Sequence, residues 1–240
     1  MSHNVYVFLA EGFEEIEAIG TIDLLRRAGL PTHIVAVGIE PHVRGAHGVA
    51  IEADLSISEV YSADAIALVL PGGLPGVTNL EGSQRLRQLI QEANQDGKLL
   101  CAICAAPSVY GKAGLLEGKE AIAYPGFEGH LHGAKVSASP VVRSANFITA
   151  KSAGYTFDFA LAIIEALQGK AKADEVQAAA DKVKEALKGT DTDAIKKATE
   201  ELEKPLYEMS AAAYQQAGGP EAAAGGAVGK NPLLIVVPCH

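Results

Sequence analysis

Short apolar segments alternate with amphipathic helical stretches over the first 170 residues, and this alternation restricts the chain to few folds. The segments are apolar on both faces, as strands are when helices cover both sides of a parallel sheet. The predicted strands are residues 5–10, 33–37, 65–70, 98–103 and 146–149, with a hairpin-like excursion at 43–53. The predicted helices are residues 14–28, 83–96, 105–113 and 156–167. The predicted fold class is α/β with a mainly parallel sheet, in which chemistry lies where strand carboxyl ends turn into helices.

The first predicted helix carries an apolar stripe that we expect to face the sheet. The stripe consists of Ile16, Ile19, Ile22, Leu24 and Leu25. Gly29 follows the last periodic residue and is expected to end the helix.

The chain changes character near residue 170, where we predict a domain boundary. Sixteen of the 60 residues from 171 to 230 are alanine, and residues 171–217 are predicted to form a helical hairpin with a break at Gly189. Residues 218–240 are of low complexity and are predicted to be disordered. The predicted domains are therefore 1–170, 171–217 and 218–240.

Charge and hydropathy exclude several classes of protein. The net charge of -9 disfavours a nucleic-acid partner. No apolar run approaches the roughly 20 residues that a membrane helix needs, so no membrane span is predicted. The N-terminus lacks the basic start of a secretory signal, and three cysteines make a disulfide framework improbable. We therefore expect a cytoplasmic protein.

A cysteine ends a predicted buried strand in the segment LLCAICAAP at residues 99–107. Small residues follow Cys104 before a helix begins, which is the layout of a nucleophile elbow. A thiolate at a helix N-terminus is stabilised by the dipole and by unpaired N–H groups, so we expect a lowered pKa and assign Cys104 as candidate nucleophile. Cys101 lies inside the strand and is expected to be a buried small apolar residue, which disfavours the alternative of a CxxC redox pair.

Two glycines follow another predicted strand in the segment LPGGLPG at residues 70–76. Gly72 and Gly73 permit positive φ and bring backbone N–H groups close to a ligand. With the N–H of Ala105, they are candidate donors of an oxyanion hole. A simple glycine turn is the alternative that the motif leaves open.

An acidic cluster, EGFEEIE at residues 11–17, begins the first predicted helix. Glu14 and Glu15 are expected to complement the helix dipole. Glu17 lies one helical turn beyond Glu14, beside the apolar stripe, and is expected to point across the sheet edge at the thiol. A buried carboxyl there would be protonated and able to hydrogen-bond the thiolate or serve as an acid and base.

These motifs, together with RRAG, YPGF and FALAIIEALQGK, extend from residue 4 to about 170. The chain resembles the ThiJ/PfpI superfamily, specifically its Parkinson-associated deglycase branch. The resemblance implies a flavodoxin-like three-layer sandwich that forms a homodimer without a cofactor. It matches Cys104 to the reactive cysteine, Glu17 to the adjacent carboxylic acid, and Gly73 and Ala105 to the oxyanion positions. No metal-ligand spacing is visible among the seven histidines and three cysteines, so no metal is predicted.

The sequence departs from the family pattern near the cysteine. Several members have a histidine where this chain has Tyr124, so Tyr124 and His47 are candidate accessory residues, and His130 and His132 are further candidates. The protease branch has histidine immediately after its cysteine, whereas Ala105 occupies that position here. This difference disfavours peptidase activity.

Residues 181–216 resemble the carboxy-terminal helical lid of DnaK-type chaperones, through segments such as EALKGTD and AIKKATEEL. The chain contains no recognisable nucleotide-binding or peptide-binding domain of such a chaperone, so the resemblance implies no ATPase activity. A chaperone-related partner is the expectation for these helices. Chance similarity among Ala-, Lys- and Glu-rich helices is the alternative.

The family resemblance implies a cysteine enzyme that acts on a small-molecule carbonyl substrate, a reactive α-dicarbonyl. It converts methylglyoxal and water to lactate, or removes early dicarbonyl adducts from thiols and amines. In this hypothesis Cys104 forms a hemithioacetal, Gly73 and Ala105 stabilise its oxyanion, and Glu17 moves the proton. A redox-sensing stress protein or holdase chaperone with an oxidisable Cys104 is one alternative, and a PfpI-type cysteine peptidase or amidase is another.

Overall fold

A computed structural model describes residues 4–186, 193 and 196–201 of the chain. Its strands, in chain order, are β1 (Asn4–Leu9), β2 (Thr32–Ala36), β3 (His42–Arg44), β4 (Ala50–Glu52), β5 (Leu55–Ser56), β6 (Ala65–Leu70), β7 (Leu99–Ile103), β8 (Glu120–Ala121), β9 (Lys135–Val136), β10 (Val141–Ser144) and β11 (Phe147–Ala150). Its α-helices are α1 (Glu15–Arg27), α2 (Gly76–Gly82), α3 (Gln84–Gln95), α4 (Pro107–Lys112), α5 (Thr156–Gln168) and α6 (Lys170–Ala186).

Seven strands form the central sheet in the order β10-β11-β7-β6-β1-β2-β5. Strand β10 pairs with β11 in the antiparallel sense, and the other described pairings in this sheet are parallel. The predicted α/β class and the flavodoxin-like sandwich are confirmed. Strands β1, β6 and β7 are neighbours, so the loops after their carboxyl ends meet at one edge of the sheet.

Apolar residues on alternate positions of β1 supply two separate cores. Val5, Val7 and Leu9 belong to the core on one face of the sheet, whereas Tyr6 and Phe8 belong to the core on the other. Successive side chains of a strand point to opposite faces, and helices cover both faces here. The continuous apolar runs in the sequence therefore reflect burial on both sides.

Helix α1 turns a different face to the core from the one predicted. Ile16 is 63% exposed and Ile19 is 43% exposed, so their predicted inward position is wrong. Ile22, Leu24 and Leu25 are buried as predicted. Four further buried residues of this helix are polar or charged, so its buried face does not coincide with the apolar stripe: Glu15, Glu17, Thr21 and Arg27.

Several short elements were absent from the predictions. Helix α2 begins at Gly76, the last residue of the LPGGLPG segment, whose glycines and prolines are typical of a turn. Helix α4 begins at Pro107, two residues later than predicted, because Ala105 and Ala106 form the turn after Cys104. The excursion at 43–53 is confirmed as the antiparallel β3–β4 hairpin.

The first predicted tail helix is confirmed as α6, which follows α5 across Gly169 at φ 91°. Ala173 and Val176 of α6 are buried in the core that also contains residues of α1 and α5. Residues 196–201 are helical, and Lys182 Nζ lies 2.8 Å from Glu201 Oε2. The rest of the second tail helix and the low-complexity segment at 218–240 lie outside the described residues, and the boundary near 170 stays a prediction.

Within the described part of the chain, none of the helices combines the length and apolarity that crossing a bilayer requires.

Candidate active site

Cys104 lies on a strained turn at the carboxyl end of β7. Its φ of 63° is in the left-handed region, which side chains other than glycine adopt at an energetic cost. The turn is fixed on both sides, because Cys104 N–H donates to the Ala150 carbonyl at 2.9 Å and Tyr124 N–H donates to the Cys104 carbonyl at 2.7 Å. The predicted elbow geometry is confirmed.

The loop after β6 packs backbone to backbone against the loop after β1. Glu14 N–H donates to the Gly72 carbonyl at 3.0 Å, and Gly76 N–H donates to the Gly12 carbonyl at 3.1 Å. Gly73 has φ 90°, and a Cβ there would lie 2.4 Å from Glu14 N. Both the conformation and the close approach therefore require glycine at this position.

Glu17 brings its carboxyl group from α1 into this junction. The residue is 1% exposed, and its Oε2 accepts a hydrogen bond from Gly72 N–H at 2.8 Å. A Cβ at Gly72 would lie 2.6 Å from Glu17 Oε2 and 3.1 Å from Cys104 Sγ, so carboxyl and thiol meet beside this glycine. Burial raises the pKa of Glu17 to about 7, although hydrogen bonds from Gly72 and Cys104 lower it in part.

Burial, together with the Glu17 carboxylate beside it, raises the pKa of the Cys104 thiol to about 12. Hydrogen bonds from the backbone N–H groups of Ala105 and Gly73 act in the lowering direction and are outweighed. The predicted lowering of the Cys104 pKa is therefore wrong, because helix-end donors alone do not offset burial and a neighbouring anion. The Glu17 carboxyl is the titratable group that contacts the Cys104 thiol.

The three predicted oxyanion donors divide into two kinds. Gly73 and Ala105 direct their N–H groups at the Cys104 sulfur, and their part in an oxyanion hole stays a prediction. Gly72 instead donates its N–H to Glu17, so its predicted place in the oxyanion hole is wrong. Its role is to hold the carboxyl group next to the thiol.

Comparisons with known proteins identify the family of this chain. The DJ-1/PfpI family profile matches residues 3–166. The chain belongs to the DJ-1/PfpI family. It is 37% identical to Protein dj-1beta of Drosophila melanogaster over 178 residues, which is 73% of this chain and 95% of that protein. It is 33% identical to a Caenorhabditis elegans protein named glutathione-independent glyoxalase DJR-1.2, over 69% of this chain and 89% of the relative.

Solved structures of other proteins show the same fold. Oxidized Toxoplasma gondii DJ-1 superposes with a TM-score of 0.69 at 35% identity, covering 73% of this chain and 96% of its own. The VC2308 protein superposes with a TM-score of 0.71 at 30% identity, and the match covers 82% of this chain and 98% of the VC2308 chain. Protein DJ-1 homolog A of Arabidopsis thaliana is 37% identical over 72% of this chain, which spans 45% of that longer relative.

In this DJ-1/PfpI chain, His47 contacts Glu15 rather than the cysteine. The ring nitrogen Nδ1 of His47 lies 2.8 Å from Glu15 Oε2. The backbone N–H of His47 donates a hydrogen bond to Glu15 Oε1 at 2.6 Å. The Glu15 carboxylate raises the pKa of His47. Burial favours a raised pKa for Glu15, but the hydrogen bonds from His47 outweigh it and lower that pKa. The pair attaches the β3–β4 hairpin to α1, and no contact between His47 and Cys104 is seen in the described residues.

The Glu14 carboxylate also lies near this pair. Glu14, Glu15 and His47 have side-chain atoms within 4.8 Å of one another. Glu14 Oε2 accepts a hydrogen bond from Glu17 N–H at 2.7 Å and caps α1. Hydrogen bonds thus account for the cluster, and Glu14 complements the helix start as predicted.

The contacts of Tyr124, His130 and Cys101 are local ones. Tyr124 reaches Cys104 through its backbone N–H, while its side chain is 46% exposed. His130 packs its ring against Phe127 with centroids 5.9 Å apart. Cys101 is fully buried and unpaired, as predicted for a small apolar residue, and its carbonyl accepts a hydrogen bond from Tyr110 at 3.1 Å.

Sequence reasoning missed Thr21, which lies four residues after Glu17 and is 1% exposed. The available signal was a polar side chain one helical turn from a buried acid. The predicted apolar stripe included Ile16 and Ile19, which are exposed, and did not include Thr21.

Proposed function

We propose that this protein is a cofactor-independent cysteine enzyme of the glyoxalase and deglycase type, converting methylglyoxal and water to lactate. The observation that carries the proposal is the junction of Cys104, the buried Glu17 carboxyl and two backbone N–H donors. The glyoxalase name of a relative 33% identical to this chain supports the same class of substrate.

In the proposed reaction, the Cys104 sulfur adds to the aldehyde carbon while its proton passes to the Glu17 carboxylate. The carbonyl oxygen becomes an oxyanion, which the N–H groups of Gly73 and Ala105 stabilise, and protonation gives a hemithioacetal. Glu17 then moves the proton from the former aldehyde carbon to its ketone neighbour. Water hydrolyses the resulting thioester and restores the thiol.

This sequence of steps balances without an external oxidant or reductant. The aldehyde carbon is oxidised to the acid level while the adjacent ketone carbon is reduced to an alcohol. A base with a pKa of about 7 suits repeated proton transfers near neutral pH, because it both accepts and releases the proton. Cofactor independence is part of the proposal.

The test measures methylglyoxal consumption and lactate formation by the purified full-length chain. We expect lactate from the parent protein, none above background from Cys104→Ala, and parental rates from the matched control Cys101→Ala. Cys101 is buried and takes no part in the proposed chemistry. Lactate formation by Cys104→Ala at the parental rate contradicts the assigned nucleophile, and its absence in the parent contradicts the activity.

We also propose that the protein forms a homodimer through the outer face of α1. Ile16 and Ile19 are exposed large apolar residues on that helix, and apolar exposure of this kind is typical of interaction surfaces. Sedimentation measurements on Ile16→Asp test this, with Val136→Asp as a control at another exposed apolar residue. A dimer that persists in Ile16→Asp contradicts the proposed face.

A redox-sensing role is the second candidate, because the same N–H donors and the Glu17 carboxyl would stabilise an oxidised Cys104. Cys104 is partly accessible whereas Cys101 is buried. Mass spectrometry after mild peroxide is expected to find Cys104 oxidised first, and preferential oxidation of Cys101 contradicts a sensor role. The chaperone-related partner of the tail helices and the cytoplasmic location stay predictions.

A further inference from the structure

Two buried polar atoms of α1 have no hydrogen-bond partner among the described residues, Glu17 Oε1 and Thr21 Oγ1. Each residue is 1% exposed, so bulk water does not satisfy these atoms. Polar groups that are buried without a partner destabilise a fold, and native proteins satisfy most of them with protein groups or ordered water. The pair therefore points to a bound partner inside the protein.

Helix geometry places the two side chains next to each other. Residues four apart lie on the same face, with Cβ atoms about 5–6 Å apart. Side chains of a helix lean toward its N-terminus, so Thr21 leans toward Glu17. A span of this size suits one water molecule that hydrogen-bonds to both groups.

The other carboxylate oxygen is already committed. Glu17 Oε2 accepts the Gly72 N–H and borders Cys104 Sγ, which leaves Oε1 for a further partner. The titratable groups that act on Glu17 are the Cys104 thiol, from the elbow, and the Glu14 carboxylate, from the start of its own helix. Helix α5 approaches this part of α1 with the uncharged Thr156, whose Cγ2 would lie 2.9 Å from a Cβ at Gly20.

We propose that Thr21 is a positioning residue whose hydroxyl and Glu17 Oε1 hold one buried water molecule between them. The water accepts a hydrogen bond from the Thr21 hydroxyl and donates one to the Glu17 carboxylate. The water site follows from the two unpartnered atoms, and only its effect on turnover rests on the proposed function. No covalent or redox step is involved.

A hydrogen bond donated to a carboxylate favours its charged form and lowers its pKa. The Thr21 hydroxyl thus offsets part of the effect of burial and keeps Glu17 able to accept a proton near neutral pH. Loss of the hydroxyl is expected to raise the pKa of Glu17 further.

The test compares Thr21→Val, which keeps the shape but removes the hydroxyl, with Thr21→Ser, which keeps the hydroxyl. Alkylation of Cys104 by iodoacetamide is followed against pH by mass spectrometry, and the Glu17 carboxyl band by infrared difference against Glu17→Gln. We expect the Glu17 midpoint to rise by about one pH unit in Thr21→Val and to stay parental in Thr21→Ser. An unchanged midpoint in Thr21→Val, or equal shifts in both variants, overturns the proposal.

Thermal unfolding supplies an independent readout. A truly unpartnered hydroxyl makes Thr21→Val more stable than the parent at every pH, and that result overturns the proposal. The water bridge predicts a lower melting temperature for Thr21→Val, with a larger loss at pH 8, where Glu17 is charged, than at pH 5. Thr21→Ala serves as the second hydroxyl-free variant should Thr21→Val fail to fold.

Neither readout uses a dicarbonyl. A shifted Glu17 midpoint in a protein that forms no lactate therefore contradicts the proposed function and leaves the water site intact. Lactate formation by a protein whose Glu17 midpoint does not shift in Thr21→Val supports the proposed function and overturns the water site.

Discussion

Glu15 and Glu17 lie two residues apart in the first turn of α1, both are buried, and their pKa values move in opposite directions. Glu15 faces the β3–β4 hairpin, where His47 donates two hydrogen bonds to it. Glu17 faces the elbow, where one backbone N–H and a thiol are its described partners. Burial raises the pKa of Glu17, whereas at Glu15 the hydrogen bonds from His47 outweigh the effect of burial and keep that carboxyl charged.

The opposite pKa shifts of Glu15 and Glu17 suit the two carboxyl groups to different tasks. A carboxylate with a lowered pKa is a permanent anion that suits attachment of the hairpin. A carboxyl group with a pKa of about 7 exchanges protons near neutral pH and suits acid–base chemistry.

The largest expected effect is the difference in turnover rate between the variants Glu17→Gln and Glu15→Gln. Glu17→Gln is expected to lower lactate formation by about 10²–10⁴-fold, because the base beside Cys104 is lost. Glu15→Gln changes no group at the thiol, so its effect on turnover is expected to be far smaller. Steady-state rates of both variants check this, and full turnover in Glu17→Gln contradicts the role of Glu17.

The second expectation concerns stability against pH. The folded pKa of Glu17 is raised from 4.5 to about 7, so its contribution is complete below 4.5 and is lost as pH rises through 7. The full difference corresponds to about 3 kcal/mol. Glu15 has a lowered folded pKa, so its contribution is present above 4.5 and is lost as pH falls through the folded value.

Urea unfolding at pH 5, 6 and 8 checks the sign for Glu17, and a series extended to strongly acidic pH checks the sign for Glu15. We expect Glu17→Gln to gain stability relative to the parent as pH rises, and Glu15→Gln to lose it as pH rises from strongly acidic values. Parallel pH profiles for Glu17→Gln and the parent would show that Glu17 titrates normally.

The third expectation concerns the glycine that separates thiol from carboxyl. Gly72→Ala places a Cβ 2.6 Å from both Cys104 Cβ and Glu17 Oε2, which is expected to cost about 1–3 kcal/mol and to force the pair apart. Gly38→Ala is the control, because a Cβ there meets nothing within 4 Å. Chemical denaturation and Cys104 alkylation rates measure both effects, and a parental Gly72→Ala contradicts the close approach.

The smallest expected effect is that of His47→Ala. His47 is exposed and bonds to Glu15, so turnover is expected to stay parental while the melting temperature falls slightly. The raised pKa of His47 means that its contribution is present below 6.5 and is lost as pH rises through the folded value. A loss of turnover comparable to that of Glu17→Gln would make His47 part of the chemistry after all.

The sequence predicted the parts of the site that depend on local order along the chain. Cys104 follows a buried strand and precedes small residues, so the elbow was visible from residue order alone. Helix α2 is absent from the predictions because the glycines and prolines up to its start resemble a loop, and the hydrogen bond from Gly76 N–H to the Gly12 carbonyl fixes that start. The inward face of α1 was misjudged because two of its buried side chains, Glu17 and Thr21, are polar.

The sequence by itself determined the α/β class, the strand ends that carry the site, and Cys104 and Glu17 as its candidates, because hydrophobic periodicity and turn residues act over short distances. The tertiary structure decided the proton chemistry. In the folded chain Gly72 N–H donates to Glu17, and His47 contacts Glu15. The pKa of Cys104 is raised, whereas the sequence predicted a lowered pKa. Burial and hydrogen bonding depend on which loops meet across the sheet, and these contacts join residues far apart in the chain.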